Sequence, residues 1–172
     1  MVSSASFRIR EAIATDVPAL ANLHVTTFNE THGGWNPPSL ELRASQWNKT
    51  FEVTDGSWFC FVIEDLSGGL VGFAKGTLHD GGVPGFHGEM NKIYILSRYQ
   101  RMGLGHRIVG RVARKFLAQG INSMLLFGDA RSPANHFYES LGAEKLFSPE
   151  GEFHGGYGWR DLNRLAKICQ AI

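Results

Sequence analysis

The stretch that most constrains this chain covers residues 91–116, where an apolar run, a two-glycine turn and a long amphipathic segment follow one another. Lys92-Ile93-Tyr94-Ile95-Leu96 is rich in β-branched and aromatic residues and reads as a strand. The turn is Gln100-Arg101-Met102-Gly103-Leu104-Gly105. After it, Leu104, Ile108, Val109, Val112, Phe116 and Leu117 form one helical stripe, with Arg107, Arg111, Arg114 and Lys115 largely off it. A strand, a glycine turn and a helix start together present free backbone N–H groups at the positive end of a helix dipole. That is an anion site.

The rest of the chain supplies strands and helices around this unit. Phe7-Arg8-Ile9-Arg10 alternates like a half-buried strand. Thr15 or Asp16 is placed to cap a helix with Pro18 in its first turn, and Val17, Leu20, Ala21, Leu23, His24 and Phe28 give it an apolar stripe. Residues 29–39 are rich in breakers, and Ser39 caps a second helix to about Phe51. Residues 57–64 form a continuous apolar run, hence a buried strand, and Ser67-Gly68-Gly69 turns into a second strand over 70–77. A glycine-dense loop over 79–88 leads to the strand at 89–96. Residues 122–127 make another buried strand, Ser132-Pro133 opens a short helix that stops at Gly142, and residues 143–147 and 157–162 read as two last strands. The order is mixed α+β, with a strand–helix–strand crossover in the second half.

The chain has 172 residues, and one domain over 1–172 is the expectation. Its net charge of +1 argues against a general nucleic-acid binder, which needs a strongly basic face. No run approaches membrane-spanning length, and the start lacks the apolar core of a signal peptide. Two distant cysteines, Cys60 and Cys169, suit a reduced, cytoplasmic setting. The histidines show no metal-ligand spacing, so no metal is expected.

Two common nucleotide loops fail against the turn. GxxxxGK(S/T) has no lysine–hydroxyl pair here, and the dinucleotide fingerprint meets Ile108 where its third glycine belongs. What remains is QxxGxG between a strand and a helix. This segment resembles the pyrophosphate loop of the GNAT superfamily of N-acetyltransferases, whose pattern (R/Q)xxGx(G/A) is matched at Gln100, Gly103 and Gly105. The resemblance extends to Asn135-His136-Phe137-Tyr138-Glu139-Ser140-Leu141-Gly142-Ala143, with Asn135 and Tyr138 in register, and to the element order over residues 7–162. It implies an α+β fold (mixed α/β): a mostly antiparallel, twisted sheet of six to seven strands flanked by about four helices, with a splayed central strand pair.

The resemblance also implies a site. Acetyl-CoA is the expected acyl donor, its pyrophosphate held by the amides of Arg101, Met102, Gly103, Leu104, Gly105 and His106 with Gln100 at the loop entrance. Its pantetheine arm is expected along the backbone of Ile93, Tyr94 and Ile95, as an added strand, with Asn135 touching the pantetheine or nucleotide part. Direct transfer from a thioester to an amine needs a neutral amine, a stabilised oxyanion and a protonated leaving thiolate. Tyr138 matches the family tyrosine that acts as general acid near the sulfur. Glu89 is the candidate base, directly or through water; the alternative for it is a strand-end carboxylate paired with Lys92 or an arginine.

Acceptor contacts are expected from the loops, with Glu30, Trp35 and Tyr157 as the residues of choice, since carboxylates and aromatics suit a cationic amine. The expected activity is that of an acyltransferase moving acetyl directly to a primary amine of a small molecule or protein in a ternary complex. The alternative is a non-catalytic acyl-CoA-binding sensor. Neither nucleic acid nor membrane is an expected partner, and exposed strand edges together with the apolar tail at 165–172 offer surfaces for a homodimer.

Overall fold

The computed structural model describes residues 3–34 and 36–170. Among them are seven strands, hydrogen-bonded in the order β1-β2-β3-β4-β5-β7-β6, and five α-helices. The strands are β1 (Arg8–Glu11), β2 (Trp58–Glu64), β3 (Leu70–Leu78), β4 (Gly88–Ile95), β5 (Met124–Phe127), β6 (Glu144–Phe147) and β7 (Phe153–Trp159). The helices are α1 (Val17–His32), α2 (Leu40–Glu52), α3 (Leu104–Ala118), α4 (Ala134–Ser140) and α5 (Leu162–Gln170). β1 with β2, β5 with β7 and β6 with β7 run antiparallel. β4 and β5 run parallel, as the crossover through α3 requires. The expected mostly antiparallel α+β sheet is therefore the observed one.

The chain forms two compact units. The first comprises residues 1–75 and 92–108. Its core gathers Val17, Leu20, Ala21 and Leu23 of α1, Trp47 of α2, Cys60 and Val62 of β2 and Phe73 of β3, with Tyr94 packed against them. α1 runs on to His32, four residues into the breaker-rich stretch at 29–39. Asp16 does not cap it by its side chain; its carboxylate accepts the Ile13 N–H at 2.8 Å and two Arg10 N–H bonds at 2.8 Å each, and the Arg10 bond is the main reason its pKa falls below the ordinary value. Ser39 does cap α2, its Oγ accepting the Leu42 N–H at 3.1 Å. Ser39→Ala should therefore lower stability by about 1 kcal/mol and the melting temperature by about 2–4 °C, read by thermal unfolding.

The second unit comprises residues 76–91 and 109–172. Val112 and Phe116 of α3, Met124, Leu125 and Leu126 of β5, Leu141, and Tyr157 and Trp159 of β7 are buried in it, while Phe127 at the end of β5 is exposed. Two expectations change here. The last strand begins at Phe153 and ends at Trp159, and residues from Leu162 form a helix in place of an apolar tail. Asp161 caps that helix, its Oδ1 accepting the N–H groups of Asn163 and Arg164 at 3.0 and 3.2 Å. Leu162, Leu165, Ala166 and Cys169 recur at helical spacing and are buried, so three residues of the tail invoked for a homodimer are core, and residues 171–172 of that tail lie outside the described residues. Five helices thus stand where about four were expected. No helix among the described residues is long and apolar enough to cross a membrane.

Candidate active site

β4 carries the first half of the site. It pairs with β5 only at Gly88 with Met124 and Glu89 with Leu125. Beyond Glu89 the register does not continue, which matches the expected splay and leaves the backbone of Ile93 and Ile95 without a β5 partner. Tyr94 turns its ring toward His24 and Phe73, with ring centres 5.8 and 5.7 Å away, and burial raises its phenol pKa. Its ring packs against that core while staying partly exposed, with its hydroxyl 3.5 Å from His32 Nε2.

The chain then bends through a 3-10 turn at Ser97–Tyr99. Leu96 N–H donates to Val71 O at 2.9 Å, and Glu30 accepts the Ser97 N–H at 3.1 Å. Glu30 therefore holds the turn. The Gln100 amide donates to Ile95 O at 2.9 Å, tying the loop back to the end of β4. Arg101 and Gly103 both adopt left-handed backbone, with φ of 60° and 82°. For Arg101 that conformation costs about 1–2 kcal/mol. α3 starts at Leu104, with Arg107 N–H donating to Gly103 O at 3.2 Å, so the loop delivers the chain directly into a helix N-terminus, the positive end of its dipole. Burial lowers the His106 pKa, so its ring is neutral at pH 7. Arg107 reaches the Phe7 carbonyl at 3.1 Å. The donor set is neutral N–H groups at a helix start, which fits a pyrophosphate.

The second unit carries the titratable residues. Glu89 Oε1 lies 3.4 Å from His79 Nδ1, and the Nε2 of His79 is buried without a hydrogen-bond partner. His79 reaches Glu89 because its N–H donates to His87 O at 2.9 Å, closing the loop between β3 and β4. The sequence alone placed His79 among loop residues; its pairing with the base candidate needs that closure to be seen. On α4, Asn135 is buried and its amide donates to Asp129 O and Ala130 O at 3.0 and 3.2 Å, while its Oδ1 has no partner. Tyr138 is 9% exposed, its ring among Phe137, Tyr157 and Trp159.

Tyr157 has no exposed surface. Its hydroxyl donates to Glu139 at 2.9 Å, and burial followed by that carboxylate pushes its pKa up to about 12. Trp35 lies outside the described residues. Both cysteines are free and buried, and burial raises both thiol pKa values, Cys169 to about 11. Such thiols stay protonated and are poor nucleophiles. Among the described residues, no three His, Cys, Asp or Glu side chains are grouped to hold a metal ion.

The Acetyltransferase (GNAT) family matches residues 17–143. An uncharacterized N-acetyltransferase of Bacillus subtilis, YuaI, is 28% identical over 169 residues, covering 93% of this chain and 96% of its own. The PaiA N-acetyltransferase of Thermoplasma acidophilum, crystallised with coenzyme A, superposes with a TM-score of 0.70 at 14% identity, covering 89% of this chain and 98% of its own. YncA of Salmonella typhimurium, a putative acetyltransferase solved with acetyl-CoA, gives 0.66 at 18% identity, with 91% and 94% covered. A SpeG spermidine N-acetyltransferase mutant of Vibrio cholerae gives 0.65 at 19%, with 94% and 97% covered.

Proposed function

The chain belongs to the GNAT family of acetyltransferases, and on that premise we propose that it transfers acetyl from acetyl-CoA directly to a primary amine. The observation that carries this reading is the loop at 101–106, where two left-handed residues lead straight into the first turn of α3. The relatives solved with coenzyme A or acetyl-CoA support the same donor. A spermidine acetyltransferase among the similar folds supports an amine acceptor.

Acetyl-CoA brings an acyl group already activated as a thioester. The chain's own residues then do four things. The amides from Arg101 to His106 bind the pyrophosphate, and the glycine at 103 lets backbone come close. The backbone of Ile93 and Ile95 pairs with the pantetheine amides, and the Oδ1 of Asn135 is an acceptor for one of their N–H groups. Glu89 takes the proton from the acceptor ammonium, with the His79 ring beside it to orient the carboxylate. The Tyr138 hydroxyl gives a proton to the departing sulfur. With both thiols buried and protonated, no cysteine carries the acyl group, so transfer is a single step in a ternary complex. The free cysteines fit a cytoplasmic setting.

Titration calorimetry with acetyl-CoA should show one site with affinity in the range of about 1 μM to 1 mM usual for enzyme substrates. No heat of binding at millimolar ligand overturns the donor assignment. Binding without thiol release over a panel of amines would leave a sensor module in its place.

A further inference from the structure

A polar cavity of about 220 Å³ lies wholly within the first unit. It is lined by His24 of α1, Arg43, Gln46 and Trp47 of α2, Lys75 of β3 and Lys92 of β4. Three of these are cations and none is a carboxylate. Burial lowers the pKa of both Lys75 and Arg43, so burying these charges works against folding. The contacts of Arg43 account for only part of its donor capacity. The Arg43 Nη1 donates to Gln46 at 3.1 Å and its guanidinium lies 5.1 Å from the Phe28 ring centre, yet its Nε is buried with no partner. Lys75 lies 5.8 Å from the Trp47 ring centre.

His24 adds a neutral donor. Its Nδ1 accepts the Trp47 indole N–H at 3.1 Å, which leaves the ring proton on Nε2. Burial, then Arg43, Lys92 and Lys75, hold its pKa down to about 3, so it does not charge at neutral pH. The cavity is thus walled by donors and positive charge, the complement of an oxyanion and the opposite of what a polyamine needs. Lys92 sits on β4 three residues before Ile95, about 10 Å of strand, so an anion held at Lys92 is within a small molecule's length of the strand proposed to bear the thioester.

We propose that this cavity binds the oxyanion of the acyl acceptor, making the acceptor a carboxylated or phosphorylated small amine and not a polyamine. This deepens, and rests on, the acetyltransferase reading above. A matched-pair assay of CoA release tests it on the unaltered protein: amino acids against the amines left by removing their carboxylate, phosphoethanolamine against ethanolamine, and spermidine. The anionic member of a pair should show a kcat/KM higher by about ten- to a hundredfold, the range of a charged hydrogen-bonded contact. Which pair shows it separates carboxylate from phosphate. Arg43→Gln and Lys75→Gln should each reduce the anionic member's kcat/KM by more than they reduce the neutral member's, and Arg43→Lys should restore part of the difference. Equal rates within every pair, or faster turnover of spermidine, overturn the inference while leaving the acetyltransferase standing.

A second readout is independent of turnover. N-acetylglycine and inorganic phosphate, at matched ionic strength, should raise the melting temperature over uncharged N-methylacetamide, and the Arg43→Gln/Lys75→Gln double variant should lose that rise. If wild type and double variant gain equally, the cavity is no oxyanion site. Failure of acetyl-CoA binding, by contrast, would fall on the donor assignment and leave this measurement to decide the cavity.

Discussion

Tyr138→Phe lowers turnover by about a hundredfold or more, the lower end of what a positioned proton donor contributes, and leaves acetyl-CoA affinity nearly unchanged. The lower end is expected because an ordinary thiol has a pKa of about 8.5, so a departing thiolate needs only partial help. The substitution removes one oxygen and keeps the ring that packs against Phe137, Tyr157 and Trp159. The packing of α4 therefore survives, and a loss of rate reports on the hydroxyl. Single-turnover acetyl transfer set beside calorimetric binding separates the two. A variant as fast as wild type removes Tyr138 from the chemistry; one that no longer binds acetyl-CoA makes it a cofactor residue only.

The strand, loop and helix over 91–116 are legible from sequence because each signal there is local: β-branched residues, a glycine at the left-handed Gly103, and an apolar stripe. What sequence hides is of two kinds. α5 was within reach, since Asp161 followed by Leu162, Leu165, Ala166 and Cys169 is a cap and an i, i+3, i+4, i+7 stripe. Its apolar end was read as a sticky tail. β7 was harder. Gly155 and Gly156 look like loop residues, yet Gly156 pairs with Phe127 of β5 on one side and Leu146 of β6 on the other. Pairing on both edges, and no propensity of its own, makes that segment a strand.

The site divides in the same way. The glycine loop at 100–105 and the α4 segment with Tyr138 are contiguous motifs and stand out in one dimension. The His79–Glu89 pair depends on a loop closing between two strands, and the three cations of the first unit come from α2, β3 and β4. Read singly, each of those lysines and arginines is an ordinary solvated charge. Only the fold gathers them, at a place other than the loops where the sequence favoured carboxylates and aromatics for a cationic acceptor.

Gly155→Ala carries the largest expected loss of stability. Gly155 has φ of 99°, where an L side chain is strained by about 1–3 kcal/mol. Its added Cβ would lie 2.6 Å from the carbonyl carbons of Gly128 and Asp129 and 2.7 Å from Asp129 N, all backbone atoms that no rotamer change can move aside. Overpacking of that kind adds about 1–3 kcal/mol more. Together these are a large share of the roughly 5–15 kcal/mol that holds a domain folded, so the melting temperature should fall by about 5–20 °C. Gly151→Ala is the control: its φ is 83°, but nothing lies within 4 Å of the added carbon, so it should show the strain without the clash. The displaced backbone also matters for the site. Gly128 N–H donates to Gly155 O at 3.0 Å, and Asp129 O accepts the Asn135 amide at the start of α4. Pushing that loop aside loosens the helix that carries Tyr138, so turnover should fall in Gly155→Ala even at temperatures where the variant remains folded. Equal melting temperatures for the two variants would show that the backbone yields at Gly128 and Asp129, and would take that loop out of the account of how α4 is held.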